Sequence, residues 1–256
     1  MDGSRAGAGD DGQARRRRAL GQRLESLAAA GVEALPKRRV SREPTVVPER
    51  VTAAIQTQTA DAPADRGSRL AVIRAEVEAC TLCVDLAAAR TRTVFGTGSA
   101  TARICFFGEA PGADEDASGE PFVGRAGQLL TRIISSIGLS RDEVYILNVL
   151  KCRPPGNRTP LPDEVANCRG YFERQFATIA PEFVCCLGTS ASHALLRTDE
   201  PIGKLRGRWF AHGGAQVLCT YHPSYLLRNP SAKRQVWEDM QLLAARAGLE
   251  LPPRGD

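Results

Sequence analysis

At 256 residues, 43% of them hydrophobic and 25% charged, with a net charge of +5, the chain can hold one large domain or two small ones. No stretch approaches the roughly 20 consecutive apolar residues of a membrane-spanning helix, which excludes that class. The basic run Arg15–Arg18 has no hydrophobic segment behind it to make an export signal, so a cytoplasmic location is expected, with thiols that stay reduced instead of pairing as disulfides.

Residues 1–68 are rich in Ala, Gly, Arg, Pro, Thr and Asp and nearly devoid of aromatics. Such a segment cannot bury enough apolar surface to offset its ordering entropy, so a mostly disordered tail is expected, with a short helix near Arg16–Ala30. Residues 1–70 carry 13 basic against 9 acidic groups and the remainder 21 against 20. The positive balance therefore sits mainly in the tail, which reads either as a solvated spacer or as a salt-sensitive nucleic-acid tether.

From Leu70 onward strands and helices alternate. The pattern predicts a helix over Leu70–Cys80 and a strand over Arg103–Gly108 that ends in Gly108-Glu109-Ala110-Pro111-Gly112. Asp114, Glu115 and Asp116 follow as an acidic loop, not a helix start, and would repel a pyrophosphate. A helix over Arg125–Ile137 presents Leu129, Leu130, Ile133, Ile134 and Ile137 on one face, with Gly138 as its stop signal. Then come a strand over Val144–Val149, a helix over Pro162–Ile179 and a strand over Phe183–Leu187. A helix over Thr189–Arg197, a strand over Gln216–Thr220 and a closing helix over Ala232–Ala247 complete the chain. This alternation implies an α/β fold, a three-layer α/β/α sandwich with a mainly parallel central sheet, in one domain over residues 69–250. Ligands in open sheets of this kind bind beyond the carboxyl ends of the strands. The loops at Gly108–Gly112, Asn148–Cys152, Gly188–Thr189 and Tyr221–Ser224 are therefore expected on one edge.

The cysteines divide into two groups. Cys105, Cys185, Cys186 and Cys219 lie inside apolar runs and read as small core residues. Cys80 and Cys83, in CxxC spacing, and Cys152 flank turns and prolines; Cys168 shares an apolar helix face with Val165, Phe172 and Phe176 and reads either as a core thiol or as a fourth ligand. Four thiolates from two separated stretches suit zinc or a 4Fe-4S cluster, and spacing alone does not separate the two.

The candidate edge carries polar groups suited to a base. Gly108, Ala110 and Gly112 let backbone N–H groups approach a ligand closely. Asn148 offers an acceptor and a donor on one planar amide. Phe122, on a glycine-rich loop, is either a core plug or a stacking platform, and His222, at a strand end, either a structural hydrogen-bonding group or a catalytic one.

The motifs GEAPG (Gly108–Gly112), PFVGRAGQLL (Pro121–Leu130), NVLKCRPP (Asn148–Pro155) and HPS (His222–Ser224), with the four cysteines around them, resemble the family 4, or iron–sulfur, uracil-DNA glycosylases. The resemblance runs from Cys80 to Met240 and leaves the tail aside. It implies a 4Fe-4S cluster on Cys80, Cys83, Cys152 and Cys168, and hydrolysis of the glycosidic bond of deoxyuridine in single- or double-stranded DNA by a monomer. Phe122 then stacks on uracil, Asn148 reads its N3–H and O4, and His222 with the backbone of residues 108–112 stabilises the departing anion. Glu109 positions water or stabilises the sugar cation. Tyr225, Leu226 and Leu227 wedge into the space left by the base, with Arg228 on phosphate. A related class that bonds covalently to DNA carries a histidine in the loop after the second motif. Here no histidine lies between Asn148 and His193, which implies ordinary turnover. Family 1 enzymes place aspartate and tyrosine in the first motif where this chain has Glu109-Ala110-Pro111, so their mechanism does not transfer. The readings from other classes are a non-catalytic nucleic-acid-binding module stapled by metal, or a glycosylase for hypoxanthine or xanthine.

Overall fold

The computed structural model describes residues 63–253. The expected tail up to residue 62, with its short helix near Arg16–Ala30, lies outside the described residues. The first helix, α1 (Pro63–Glu78), begins before the boundary expected at residue 68. Its opening turn is polar and hides its periodicity, but Asp65 there complements the helix dipole, and Leu70, Ile73 and Val77 bury one stripe. Arg66 donates to the Ile179 carbonyl at 2.8 Å and pins the helix start.

A short α2 (Val84–Ala89) follows the CxxC directly. Then come β1 (Thr97–Gly98), β2 (Ile104–Gly108), α3 (Ala113–Ser118), α4 (Arg125–Ser136), β3 (Tyr145–Asn148), α5 (Pro162–Ile179) and β4 (Phe183–Leu187). The rest comprises α6 (Thr189–Leu196), α7 (Ile202–Leu205), β5 (Trp209–His212), β6 (Ala215–Thr220), α8 (Pro223–Arg228) and α9 (Lys233–Ala247).

The six strands form one sheet in the order β1-β3-β2-β4-β6-β5. The four central strands are parallel and the two edge strands antiparallel, which agrees with the mainly parallel sheet read from the sequence. The sequence pattern missed both edges. β1 is two residues long; β5 reaches β6 through Gly213-Gly214, both with positive φ (54° and 88°), as a two-residue hairpin demands.

Side chains on β2 alternate between two apolar layers. Cys105 and Phe107 face the layer built by α1, α5 and α6, whereas Ile104 and Phe106 face that of α4, α8 and α9. Cys185, Cys186 and Cys219 are wholly buried with Cys105, as core cysteines should be.

The acidic stretch after the first motif is a helix, α3, not a loop. The carboxylate of Glu115 folds back onto the Gly112 N–H at 3.0 Å, so an acidic first turn starts the helix. Asp116 is buried and accepts from the Thr91 N–H at 3.0 Å, which ties α3 to the segment leaving α2.

The start of α4 is pressed against the preceding turn. A Cβ at Gly127 would fall 1.8 Å from the Phe122 carbonyl oxygen, a backbone atom that cannot swing aside. Gly127→Ala is therefore expected to destabilise the fold by about 1–3 kcal/mol through overpacking; urea unfolding of the two proteins side by side measures it, and an unchanged midpoint would show that the turn can yield.

Candidate active site

The carboxyl ends of β2, β3, β4 and β6 open onto a cleft of about 790 Å³. Glu109, Ala110, Gly112, Phe122, Asn148 and His222 line it, with Tyr225 and Arg228 at its rim. The loops predicted to share one edge do so. Gly108 plays another part than direct lining. It pairs with Asn148 across the sheet, and a Cβ on it would lie 2.3 Å from Asn148 Oδ1 and 2.5 Å from Phe122 Cζ. Its bare Cα makes room for both side chains.

Asn148 is 2% exposed, and its Oδ1 has no hydrogen-bond partner within the described chain. Leaving a buried acceptor unpaired costs about 1–3 kcal/mol, which a ligand N–H at this point would recover. Beneath it, Lys151 Nζ donates to the carbonyls of Asn148 at 2.9 Å and Phe95 at 3.2 Å, fixing the strand end.

His222 caps α8, and its Nδ1 accepts from the Ser224 backbone N–H at 3.1 Å. That bond places the ring proton on Nε2, which is left as the donor. Burial, and secondarily the charge of Arg228, lowers the imidazolium to about 4. The ring is therefore neutral near pH 7. Its centroid stands 5.6 Å from that of Phe122, tilted by 33°.

Glu109 is half-buried and accepts a hydrogen bond from the Ser190 hydroxyl of α6. Sequence reasoning missed Ser190; no spacing relates it to Glu109, and only the adjacency of β2 and β4 brings them together. It also missed Glu115, whose carboxylate takes the N–H groups of Val123 (3.0 Å) and Gly124 (3.1 Å) besides that of Gly112. One buttress thus joins the first-motif turn to the Phe122 loop.

At the rim, Tyr225 (39% exposed) and Leu227 (37%) face outward, Arg228 is exposed, and Tyr225 stacks on Tyr221 at 5.0 Å. Leu226 does not belong with them. It is 1% exposed and packs in the core with α4 and α9, because helical geometry turns it away from its neighbours on α8.

The four cysteines approach one another on the α5 side of the sheet. Burial raises the Cys152 thiol, with Cys80 and Cys83 adding to the rise, and burial lifts Cys168 to about 11, with Cys152 and Cys83 contributing. Two of the sulfurs have hydrogen-bond donors: Arg90 donates to Cys152 Sγ at 3.1 Å and Asn167 to Cys83 Sγ at 3.4 Å. Among the described residues, no three His, Cys, Asp or Glu side chains close on a single metal ion. Four thiols from two separated stretches, two of them facing N–H donors, suit the thiolates around an iron–sulfur cluster.

The sequence model described as the uracil DNA glycosylase superfamily matches residues 95–241. The chain is 41% identical over 187 residues to the type-4 uracil-DNA glycosylase of Archaeoglobus fulgidus, spanning 69% of this chain and 92% of that protein. It is 43% identical over 182 residues to the type-4 uracil-DNA glycosylase of Thermotoga maritima, spanning 69% and 93% respectively. This chain belongs to the uracil-DNA glycosylase superfamily. A type-5 uracil-DNA glycosylase of Pyrobaculum aerophilum is 32% identical over 174 residues, 60% of this chain and 74% of that protein, so the type-4 members share more of its residues. The superfamily match begins at residue 95; Cys80 and Cys83 lie before it, while Cys152, Cys168 and every cleft residue named above lie within it.

The depressed His222 has a consequence for stability. Between pH 6.5, the ordinary imidazole value, and about 4, the unfolded chain binds a proton that the folded chain refuses, so folding weakens as pH falls through that window. His222→Gln removes this titration, and its urea midpoint should fall less than that of the wild type between neutrality and about pH 5. Equal losses in the two proteins would show that the ring protonates freely when folded.

Proposed function

We propose that this chain releases uracil from DNA by hydrolysing the bond between C1′ of deoxyribose and N1 of the base, as a cytoplasmic monomer acting on single- or double-stranded DNA. The observation that carries the reading is the unpaired, buried Oδ1 of Asn148 at the floor of a cleft walled by Phe122 and a neutral His222. Family membership and the type-4 relatives support it.

A base must leave the stack to reach such a pocket. Phe122 covers its face; Asn148 accepts from N3–H through Oδ1 and donates to O4 through Nδ2, a pattern that the N3 acceptor and amino group of cytosine oppose. As the C1′–N1 bond breaks, its electron pair leaves with uracil. The Nε2–H of His222 and the backbone of Ala110 to Gly112 face the resulting anion, and a neutral imidazole gives up no proton to bind it. Water then adds to C1′, placed by the Glu109 carboxylate that Ser190 orients, and its proton passes to that carboxylate or to solvent. At the rim, Tyr225 and Leu227 fill the gap in the stack and Arg228 meets phosphate.

Cys80, Cys83, Cys152 and Cys168 hold a 4Fe-4S cluster, whose contribution is to clamp the segment after α1 to the loop after β3 and to α5. Cys152→Ala is expected to bleach the brown visible absorption of the purified protein and to lower its melting temperature. Unchanged absorption would remove Cys152 from the ligand set.

Single-turnover excision at saturating enzyme tests the chemistry. His222→Ala should slow uracil release about a hundredfold to a thousandfold, the usual cost of one preorganised donor. Asn148→Asp should exchange uracil preference for cytosine, because a carboxylate accepts from the cytosine amino group and repels O4 of uracil. Rates near wild type in both variants, on oligonucleotides carrying a single uracil or cytosine, would remove the active site from this cleft.

A further inference from the structure

Phe122 holds a backbone conformation that its own side chain opposes. Its φ of +55° is in the left-handed region, where a bulky residue persists only if its surroundings over-determine it. Gly127 passes against its carbonyl from one side. From the other side comes Arg141, in the turn that leads into β3.

The Arg141 guanidinium spans two successive carbonyls of the strained turn. Nη2 donates to Pro121 O at 2.8 Å and Nη1 to Phe122 O at 3.2 Å, while Nη1 also reaches Thr131 Oγ1 on α4 at 3.4 Å. The side chain is half-buried, and its burial lowers its pKa against the pull of Glu120 and Asp142. The two carboxylates lie near enough to be felt, yet the fork is spent on uncharged carbonyls. A planar fork can serve two adjacent acceptors in fixed orientation; an ammonium group on a flexible stem cannot. Arg141 itself does not line the cleft.

We propose that Arg141 is a positioning residue for base recognition, clamping the Pro121–Phe122 turn so that the Phe122 ring is held in the cleft. The inference rests on the reading that Phe122 stacks on uracil. It adds a mechanical link: Arg141 lies in the turn that feeds β3, the strand that ends in Asn148, so one short segment sets both the stacking ring and the group that reads the base edge. Loss of the clamp lets the ring swing, which weakens base binding in ground and transition states alike and leaves the bond-breaking groups in place.

The test compares Arg141→Lys, Arg141→Met and Phe122→Leu in the full chain, with free uracil as the probe. Three quantities are read: the dissociation constant of free uracil, KM on a single-uracil oligonucleotide, and the single-turnover rate at saturating enzyme. Both Arg141 variants should raise the uracil dissociation constant and KM about tenfold, the scale of one base-stacking contact, with the single-turnover rate changed by less than about threefold. Phe122→Leu should raise the uracil dissociation constant and KM at least as much, and combining it with Arg141→Lys should add little to either, because the two residues act as one unit. Wild-type uracil affinity in a folded Arg141 variant overturns the proposal, as does a full additive loss in the double variant, while the Phe122→Leu result still stands for the stacking role. Wild-type affinity in Phe122→Leu removes the stacking reading itself. If neither Arg141 variant folds, Thr131→Val, which frees one anchor of the guanidinium, carries the comparison, and unchanged uracil affinity there overturns the proposal.

Discussion

Where β2 and β3 end side by side, Gly108 pairs with Asn148, and the space a Cβ would occupy is filled by the Asn148 amide and the edge of the Phe122 ring. The rest of the cleft follows from that exclusion. With the amide folded over Gly108, its Oδ1 is buried without a hydrogen-bond partner among the described residues, and the turn that delivers Phe122 must come close enough to demand a left-handed backbone. The surrounding elements supply the compensation: Gly127 gives clearance, Glu115 gathers loose N–H groups, and Arg141 gathers loose carbonyls.

Electrostatics at the site are arranged to keep charge off the His222 ring. The half-buried His222 is neutral because desolvation, and secondarily the charge of Arg228, disfavours its protonated form, and Ser224 fixes which nitrogen carries the proton. Behind it, Asp239 of α9 is 1% exposed. Burial raises this carboxyl, opposed by Thr220 and Arg206. Arg206 holds it through two contacts, at 2.9 and 3.1 Å, and lies over the ring of Tyr221, the residue before His222. Breaking such a buried pair on one side is costly because it strands the other charge, so the segment carrying His222 has a rigid backing.

The cysteine lobe connects to the same site through the backbone. Cys152 follows Lys151, whose buried Nζ donates to the carbonyl of Asn148, while Asp116 of α3 takes the N–H groups of the segment leaving α2. Both links are short and made inside the fold, so order at the thiols is carried to the strand end at Asn148 and to the first-motif turn without long loops.

Much of this was legible from residue pattern alone. Continuous apolar runs mark the four central strands, a 3.6-residue stripe marks α4, and the rule for open parallel sheets brings Glu109, Asn148 and His222 to one edge. Neighbours set the core cysteines apart from Cys80, Cys83 and Cys152, but not from Cys168, whose helix face is apolar. What stayed hidden has a common physical cause: it depends on contacts between residues far apart in the chain. β1 is too short to carry a period, and Leu226 sits in a motif whose neighbours face the rim while helix geometry turns it inward. Glu115 and Asp116 looked like solvated charge until folding supplied N–H partners for them. Ser190 and Arg141 have no local signature, because their meaning lies in one hydroxyl and one guanidinium that reach across the fold. Local sequence determined the four central strands, the long helices, their order and the edge on which the polar loops gather; only the tertiary structure decided the edge strands and which side chains hold the groups of the cleft still, because those bonds are made across the sheet and not along the chain.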